Sequence, residues 1–128
     1  MCKEKVLIVV GYEQTGHLLS TVLRQYDYET IVANGIADGF QAFIKNSRNI
    51  FVVITEYRIP QFADGVIFCK VIKKITPAKP VVLLSSSFED LDGVKCLHPD
   101  AGFDYFAKKP LSSILVIPEI VGKFANQT

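Results

Sequence analysis

The chain has 128 residues, 49% of them hydrophobic and 21% charged, enough for one compact domain with a real core and against disorder. Fourteen basic and thirteen acidic residues leave a net charge of +1, so bulk charge gives no electrostatic case for nucleic acid binding. No apolar run approaches the ~18 residues of a membrane span, and the opening Met-Cys-Lys-Glu-Lys lacks the apolar stretch of a secretion signal. A single cytoplasmic domain covering residues 1–128, with no membrane contact, is the expectation. Cys2, Cys69 and Cys96 are odd in number and share no metal-ligand spacing, so they read as small buried or surface thiols in a reducing compartment. His17 and His98 show no metal spacing either.

In chain order, the first apolar run is Val6–Val10, a strand by its β-branched content. Gly11-x₄-Gly16 follows it, the outline of a phosphate-cradling loop, with Gly16 expected to open a helix. Leu18, Leu19, Val22, Leu23 and Tyr26 form the apolar stripe of that helix. Thr30–Ala33 is a second strand, and Ile36, Phe40, Phe43 and Ile44 stripe a second helix. Phe51–Thr55 is a third strand, and Phe68, Val71, Ile72 and Ile75 recur at helical spacing behind it. Val81–Ser85 is a fourth strand, followed by a weaker helical segment from about Phe88 to Leu97 that stops at Pro99. Phe103–Phe106 is a fifth strand. A last helix should either kink at Pro118 or begin near it, because an interior Pro costs ~3 kcal/mol whereas a first-turn Pro is tolerated.

Strands that read as buried on both faces, alternating with helices, imply a parallel sheet covered on both sides. Five strands at this length fit a doubly wound α/β, flavodoxin-like fold with strand order 2-1-3-4-5. Ligands of such folds sit beyond the carboxyl ends of the strands. Three side chains converge there: Glu56 after the third strand, Ser85 at the end of the fourth, and Lys109, before Pro110, after the fifth.

At these residues the chain resembles the receiver domain of two-component response regulators, the CheY-like family, over nearly its whole length. Ala101-Gly102-Phe103-Asp104-Tyr105-Phe106-Ala107-Lys108-Lys109-Pro110 matches the family's approach to its lysine without a gap, and Asp64-Gly65 resembles the pair that opens its third helix. The resemblance implies a hydroxyl role for Ser85, a switch-aromatic position for Phe106 and the pocket lysine for Lys109. It also implies a phosphoacceptor Asp four residues before Pro60, where this chain has Glu56, and an acidic pair where it has Val10 and Gly11. Glu13 is the nearest carboxylate on that first loop, two residues too late.

Those departures bear on the family's chemistry. Mg²⁺ needs hard oxygen ligands, commonly one or two carboxylates. Val10 and Gly11 supply none from side chains, so Mg²⁺ binding should be weak or absent and no cofactor is expected. Glutamate's extra methylene displaces its oxygens by roughly 1.5 Å, and a misplacement near 1 Å can cost about 100-fold in rate. Glu56 then reads in two ways. It imitates a phosphorylated aspartate by reaching Ser85 and Lys109, though with −1 charge against roughly −1.5 to −2. Or it forms a structural ion pair with Lys109, the reading preferred here. Ser85 has a second use as well, since Ser85-Ser86-Ser87 also supplies N-caps, with Ser86 or Ser87 expected to cap the following helix. Phe106 reads equally as core.

Two other functions keep the fold and fail at the residues. A P-loop needs Lys then Ser or Thr after its second glycine, and here His17 and Leu18 follow Gly16. A flavodoxin-type FMN loop is rich in hydroxyls, whereas Glu13 and Leu18 flank Thr15-Gly16. The remaining expectation is a non-enzymatic signalling domain, poorly phosphorylated, that meets a histidine kinase or a downstream signalling protein. Conventional regulation through Glu56 is the alternative. The Pro118 region should alter the family's usual output surface, with Ile114, Leu115, Val116 and Ile117 facing a partner or packing as core.

Overall fold

The computed structural model describes residues 4–59 and 64–125. Pro60, which fixes the spacing argument for Glu56, and Cys2 lie outside the described residues. Five parallel strands, β1 (Lys5–Val10), β2 (Glu29–Asn34), β3 (Ile50–Glu56), β4 (Val81–Ser85) and β5 (Tyr105–Lys108), alternate with helices α1 (Glu13–Gln25), α2 (Ile36–Asn46), α3 (Asp64–Ile75), α4 (Leu91–Leu97) and α5 (Val116–Ala125). The sheet order is 2-1-3-4-5, as the alternation implied. A 3₁₀ turn at Ser47–Asn49 leads into β3.

Alternation along the strands divides the core in two, because successive side chains point to opposite faces. Leu7, Val9, Val53 and Leu83 meet Phe43, Phe68, Ile72 and Val94 on the side of α2, α3 and α4. Val6, Ile8, Ile54 and Leu84 meet Leu19, Leu23, Ile117 and Ile120 on the side of α1 and α5. The central strands β1, β3 and β4 are buried along almost their whole length, which is why they read as unbroken apolar runs. The stripes are narrower than the periodicity suggested: Leu18, Tyr26, Ile44 and Ile75 are exposed. Cys69 is buried and Cys96 exposed. The Cys69 thiol donates to the Ala101 carbonyl at 3.0 Å, and burial pushes it up to about 12.

Three boundaries differ from the sequence expectation, each for a visible reason, and the last helix begins near Pro118 as expected. Helix α1 begins at Glu13, so Gly16 lies inside it rather than at its start. A Cβ on Gly16 would stand 2.5 Å from Val32 Cγ1 and 3.1 Å from Val10 Cγ2, so this glycine lets the helix lie close on the sheet. Helix α4 begins at Leu91, and its cap is Asp90, whose carboxylate accepts the Gly93 N–H at 2.8 Å; neither Ser86 nor Ser87 caps it. Strand β5 starts two residues later than Phe103, because Asp104 turns aside to accept the Val81 N–H at 2.8 Å and the Lys73 ammonium at 2.7 Å. Helix α5 carries Pro118 as its third residue, within the first turn, where a missing N–H breaks no intrahelical bond. Ile117 is buried there, Ile114 and Val116 are half-buried, and Leu115 is exposed.

Gly65 holds the end of β3 against the start of α3. A Cβ there would fall 2.1 Å from the Glu56 carbonyl oxygen, and the Gly65 N–H donates to the Tyr57 carbonyl at 2.9 Å. Gly65→Ala must push backbone aside and should cost about 2–3 kcal/mol, at the upper end of overpacking effects. Gly122→Ala, inside α5 with only the Tyr28 hydroxyl at 3.7 Å, should gain about 0.5–1 kcal/mol from helix propensity. Urea midpoints of the two variants should move in opposite directions; parallel shifts would contradict the packing described.

Candidate functional site

The parallel arrangement brings the carboxyl ends of β1, β3, β4 and β5 to one edge of the sheet. The register pairs Glu56 with Leu84 and Ser85 with Lys108, so Glu56, Ser85 and Lys109 emerge at nearly the same height. Backbone bonds fix the loops that leave this edge. Tyr57 N–H donates to Leu84 O at 3.1 Å, and Lys109 N–H to Ser85 O at 3.0 Å. The Lys109–Pro110 peptide bond is cis.

Glu56 is the centre of this end. Its side chain is only 5% exposed, and both carboxylate oxygens have donors. Oε1 accepts the Gly11 backbone N–H at 3.0 Å, and Oε2 accepts the Lys109 ammonium. A buried carboxylate is costly unless it is paired and hydrogen-bonded, and here both conditions hold. The Lys109 side chain is about one-third exposed, so the pair sits at the boundary of core and solvent. Sequence reasoning placed Glu56 against Lys109. It did not foresee the Gly11 amide, because a backbone donor has no residue signature.

Val10 and Gly11 act differently from one another. Val10 is fully buried and packs in the layer beneath α1 and α5, so its side chain belongs to the core. Gly11 contributes its amide to Glu56. Glu13 is exposed on the first turn of α1 and faces His17 at 3.4 Å. Ser85 is buried, and its hydroxyl oxygen accepts the Ser87 N–H at 2.9 Å in a local turn. Phe106 is half-buried and packs at the rim of the core on the α2, α3 and α4 side. Among the described residues, no three His, Cys, Asp or Glu side chains gather in a way that could hold a metal ion. The donor set at the strand ends, one carboxylate with both oxygens engaged beside an apolar residue and a glycine, does not fit the hard-oxygen demand of Mg²⁺.

Tyr57, directly after Glu56, ties this edge to α4. Its ring is buried, meets Phe88 edge-on at 5.2 Å, and its hydroxyl shares a 2.9 Å hydrogen bond with Nε2 of His98, the residue that ends α4. Burial pushes the Tyr57 phenol up, offset in part by the Arg58 guanidinium. The composition gave no hint of this cluster. Its members are 41 residues apart and meet only through the fold.

Lys109→Met removes the cation and leaves the Glu56 carboxylate with one backbone donor. Because Lys109 is partly solvated, the expected loss is about 2–3 kcal/mol, below that of a fully buried pair. Adding Glu56→Gln should restore part of it, giving a coupling of at least ~1 kcal/mol in the double-mutant cycle. Strictly additive urea midpoints would show that the two side chains do not depend on one another.

No protein-family model matches the chain. In sequence it is similar to the transcriptional regulatory protein YxdJ of Bacillus subtilis (strain 168), 27% identical over 116 residues, which is 91% of this chain and 48% of that protein. The chain thus spans about half the length of the curated relative it matches. In structure it is similar to a response regulator receiver domain protein from Clostridium thermocellum, with a TM-score of 0.77 and 24% identity over 98% of this chain and 99% of that one. It is likewise similar to the receiver domain of NtrX from Brucella abortus, with a TM-score of 0.81 and 20% identity over 97% and 100% of the two chains. The chemotaxis protein CheY4 of Vibrio cholerae gives a TM-score of 0.82 and 18% identity over 95% and 98%. Strand order, strand-end residues and these likenesses agree: the chain resembles the receiver domains of two-component response regulators and carries their CheY-like, flavodoxin-like fold.

Proposed function

We propose that this chain is a single, cytoplasmic receiver-like signalling domain of a two-component system, not an enzyme, that accepts phosphate poorly and works through protein contacts. Its partner would be a histidine kinase or a downstream signalling protein. One observation carries the reading. The carboxylate at the phosphoacceptor position already has a donor on each oxygen, the Gly11 amide and the Lys109 ammonium. An attacking Glu56 oxygen would share its electron density with a donor that it already accepts, which lowers its nucleophilicity, and the described residues at this end of the sheet offer no matching oxygen cage for Mg²⁺ to neutralise the developing charge.

The structural ion pair is favoured over imitation of a phosphorylated aspartate. Imitation needs the strand-end hydroxyl drawn toward the acidic group, whereas the donors on Glu56 are the Gly11 amide and the Lys109 ammonium, and the Ser85 oxygen accepts the Ser87 amide. The likeness to a transcriptional regulatory protein leaves room for nucleic acid binding by a different domain of a longer chain, not by this one. Among the described residues, no helix is long and apolar enough to cross a membrane.

Acetyl phosphate with Mg²⁺ provides the test. Intact mass after incubation should remain that of the free chain. A stoichiometric gain of ~80 Da, one phosphoryl group, lost in Glu56→Gln, would replace this reading with conventional regulation through Glu56. Rebuilding the family's acids with Gly11→Asp and Glu56→Asp together should raise the labelled fraction above that of the parent chain.

A further inference from the structure

We infer that a cavity at the amino edge of the sheet is a binding site for a small monocarboxylic acid with an apolar body, of the size of benzoate. It lies at the opposite end of β3 from Glu56, about 20 Å away at ~3.3 Å per residue, and stands apart from how that carboxylate is read. The cavity has a volume of about 260 Å³, below the ~300 Å³ at which drug-sized pockets begin. Three segments close on it: the 3₁₀ turn that carries Arg48, the link from α3 to β4 that carries Thr76 and Lys79, and the last turn of α5 with Phe124. Backbone bonds set that link in place, since Lys79 N–H donates to Thr76 O and Val53 N–H to Pro80 O, each at 3.0 Å.

Charge decides the class of ligand. Arg48, Lys79 and Glu4 line the cavity. Lys79 does not count as a free cation, because two of its three N–H groups go to the carbonyls of Ser47 and Ile50. Burial pushes the Lys79 ammonium down and the Glu4 carboxylate offsets part of that, so these two charges answer one another. Arg48 is exposed and, among the described residues, its guanidinium has no ion pair or hydrogen bond. The unmatched charge is therefore one guanidinium, which a monoanion neutralises and a dianion would overcompensate. Its planar fork meets both oxygens of a carboxylate at once. The Thr76 hydroxyl and the third Lys79 N–H are further donors beside it. The rest of the lining is apolar. Phe51 and Phe124 are partly buried against the α1 and α5 layer, and Tyr28 meets the Phe51 ring at 5.9 Å. Burial of that surface stabilises a hydrocarbon body and gives nothing to an inorganic anion. Such a site gives the domain an input that does not pass through phosphorylation.

The probe is sodium benzoate, titrated into the ¹⁵N-labelled chain against sodium chloride at equal ionic strength. Two controls separate the parts of the ligand: benzamide keeps the ring and lacks the charge, and acetate keeps the charge and lacks the ring. Expected are saturable amide shifts at Arg48, Phe51, Thr76 and Lys79 with benzoate, and roughly tenfold weaker binding of either control. Arg48→Gln should weaken the apparent Kd for benzoate roughly tenfold or more, as when hydrogen bonds to a charged group are lost. Arg48→Lys, which keeps the charge without the fork, should restore only part of that affinity. Because Arg48 is exposed, amide shifts remote from the cavity should match those of the parent chain in both variants. Benzamide or acetate binding as tightly as benzoate, shifts centred on Gly11 and Ser85 instead, or full affinity in Arg48→Gln would overturn the site. The acetyl phosphate experiment reads the other edge of the sheet, so neither result decides the other.

Discussion

A carboxylate held away from water must be given donors, and the demand of Glu56 organises the whole carboxyl edge of the sheet. One donor comes from Gly11, beyond the neighbouring strand β1; the other comes from Lys109, beyond β5, two strands further along. Between them lies β4, whose carbonyls at Leu84 and Ser85 hold Tyr57 and Lys109 in place. The loops that leave β1, β3 and β5 are thereby tied to one charged group. The chain's own amide and ammonium meet that demand.

Much of this was legible beforehand, and the misses share a cause. The central strands were plain because burial on both faces leaves an unbroken apolar signature, and Glu56, Ser85 and Lys109 were plain because fold topology names strand ends as the place to look. The start of β5 was displaced because Phe103 is apolar and buried without being in the strand; Asp104 bends the backbone to meet Lys73 and Val81. The serine run looked like a cap and was a turn, since Asp90 sits closer to the helix and competes better for its first amides. The Gly11 donor and the Tyr57–His98 bond were invisible for a stronger reason. One is a backbone group, and the other joins residues that composition and periodicity cannot connect.

The two glycines that resembled a phosphate loop illustrate how spacing misleads when cause is ignored. Gly11 follows a strand and turns its amide to a carboxylate of its own chain, while Gly16 is absent of side chain so that α1 can rest on Val32 and Val10. Gly65, which no phosphate motif would flag, is the more tightly constrained, because its missing Cβ faces backbone oxygen rather than a movable methyl. The identity of a glycine is thus explained by what stands opposite it.

Strand order carries a consequence for how the chain assembles. In the order 2-1-3-4-5, β2 joins one side of β1, and every later strand is added in sequence at the other side. Synthesis from the amino terminus therefore meets no strand that must be inserted between two already paired, and domains that fold as they emerge exploit that property. Until β4 arrives, the growing edge is β3, and Glu56 stands at its tip in water. Lys109 follows β5, the last strand in the chain, so the Glu56–Lys109 pair closes only when the sheet is complete.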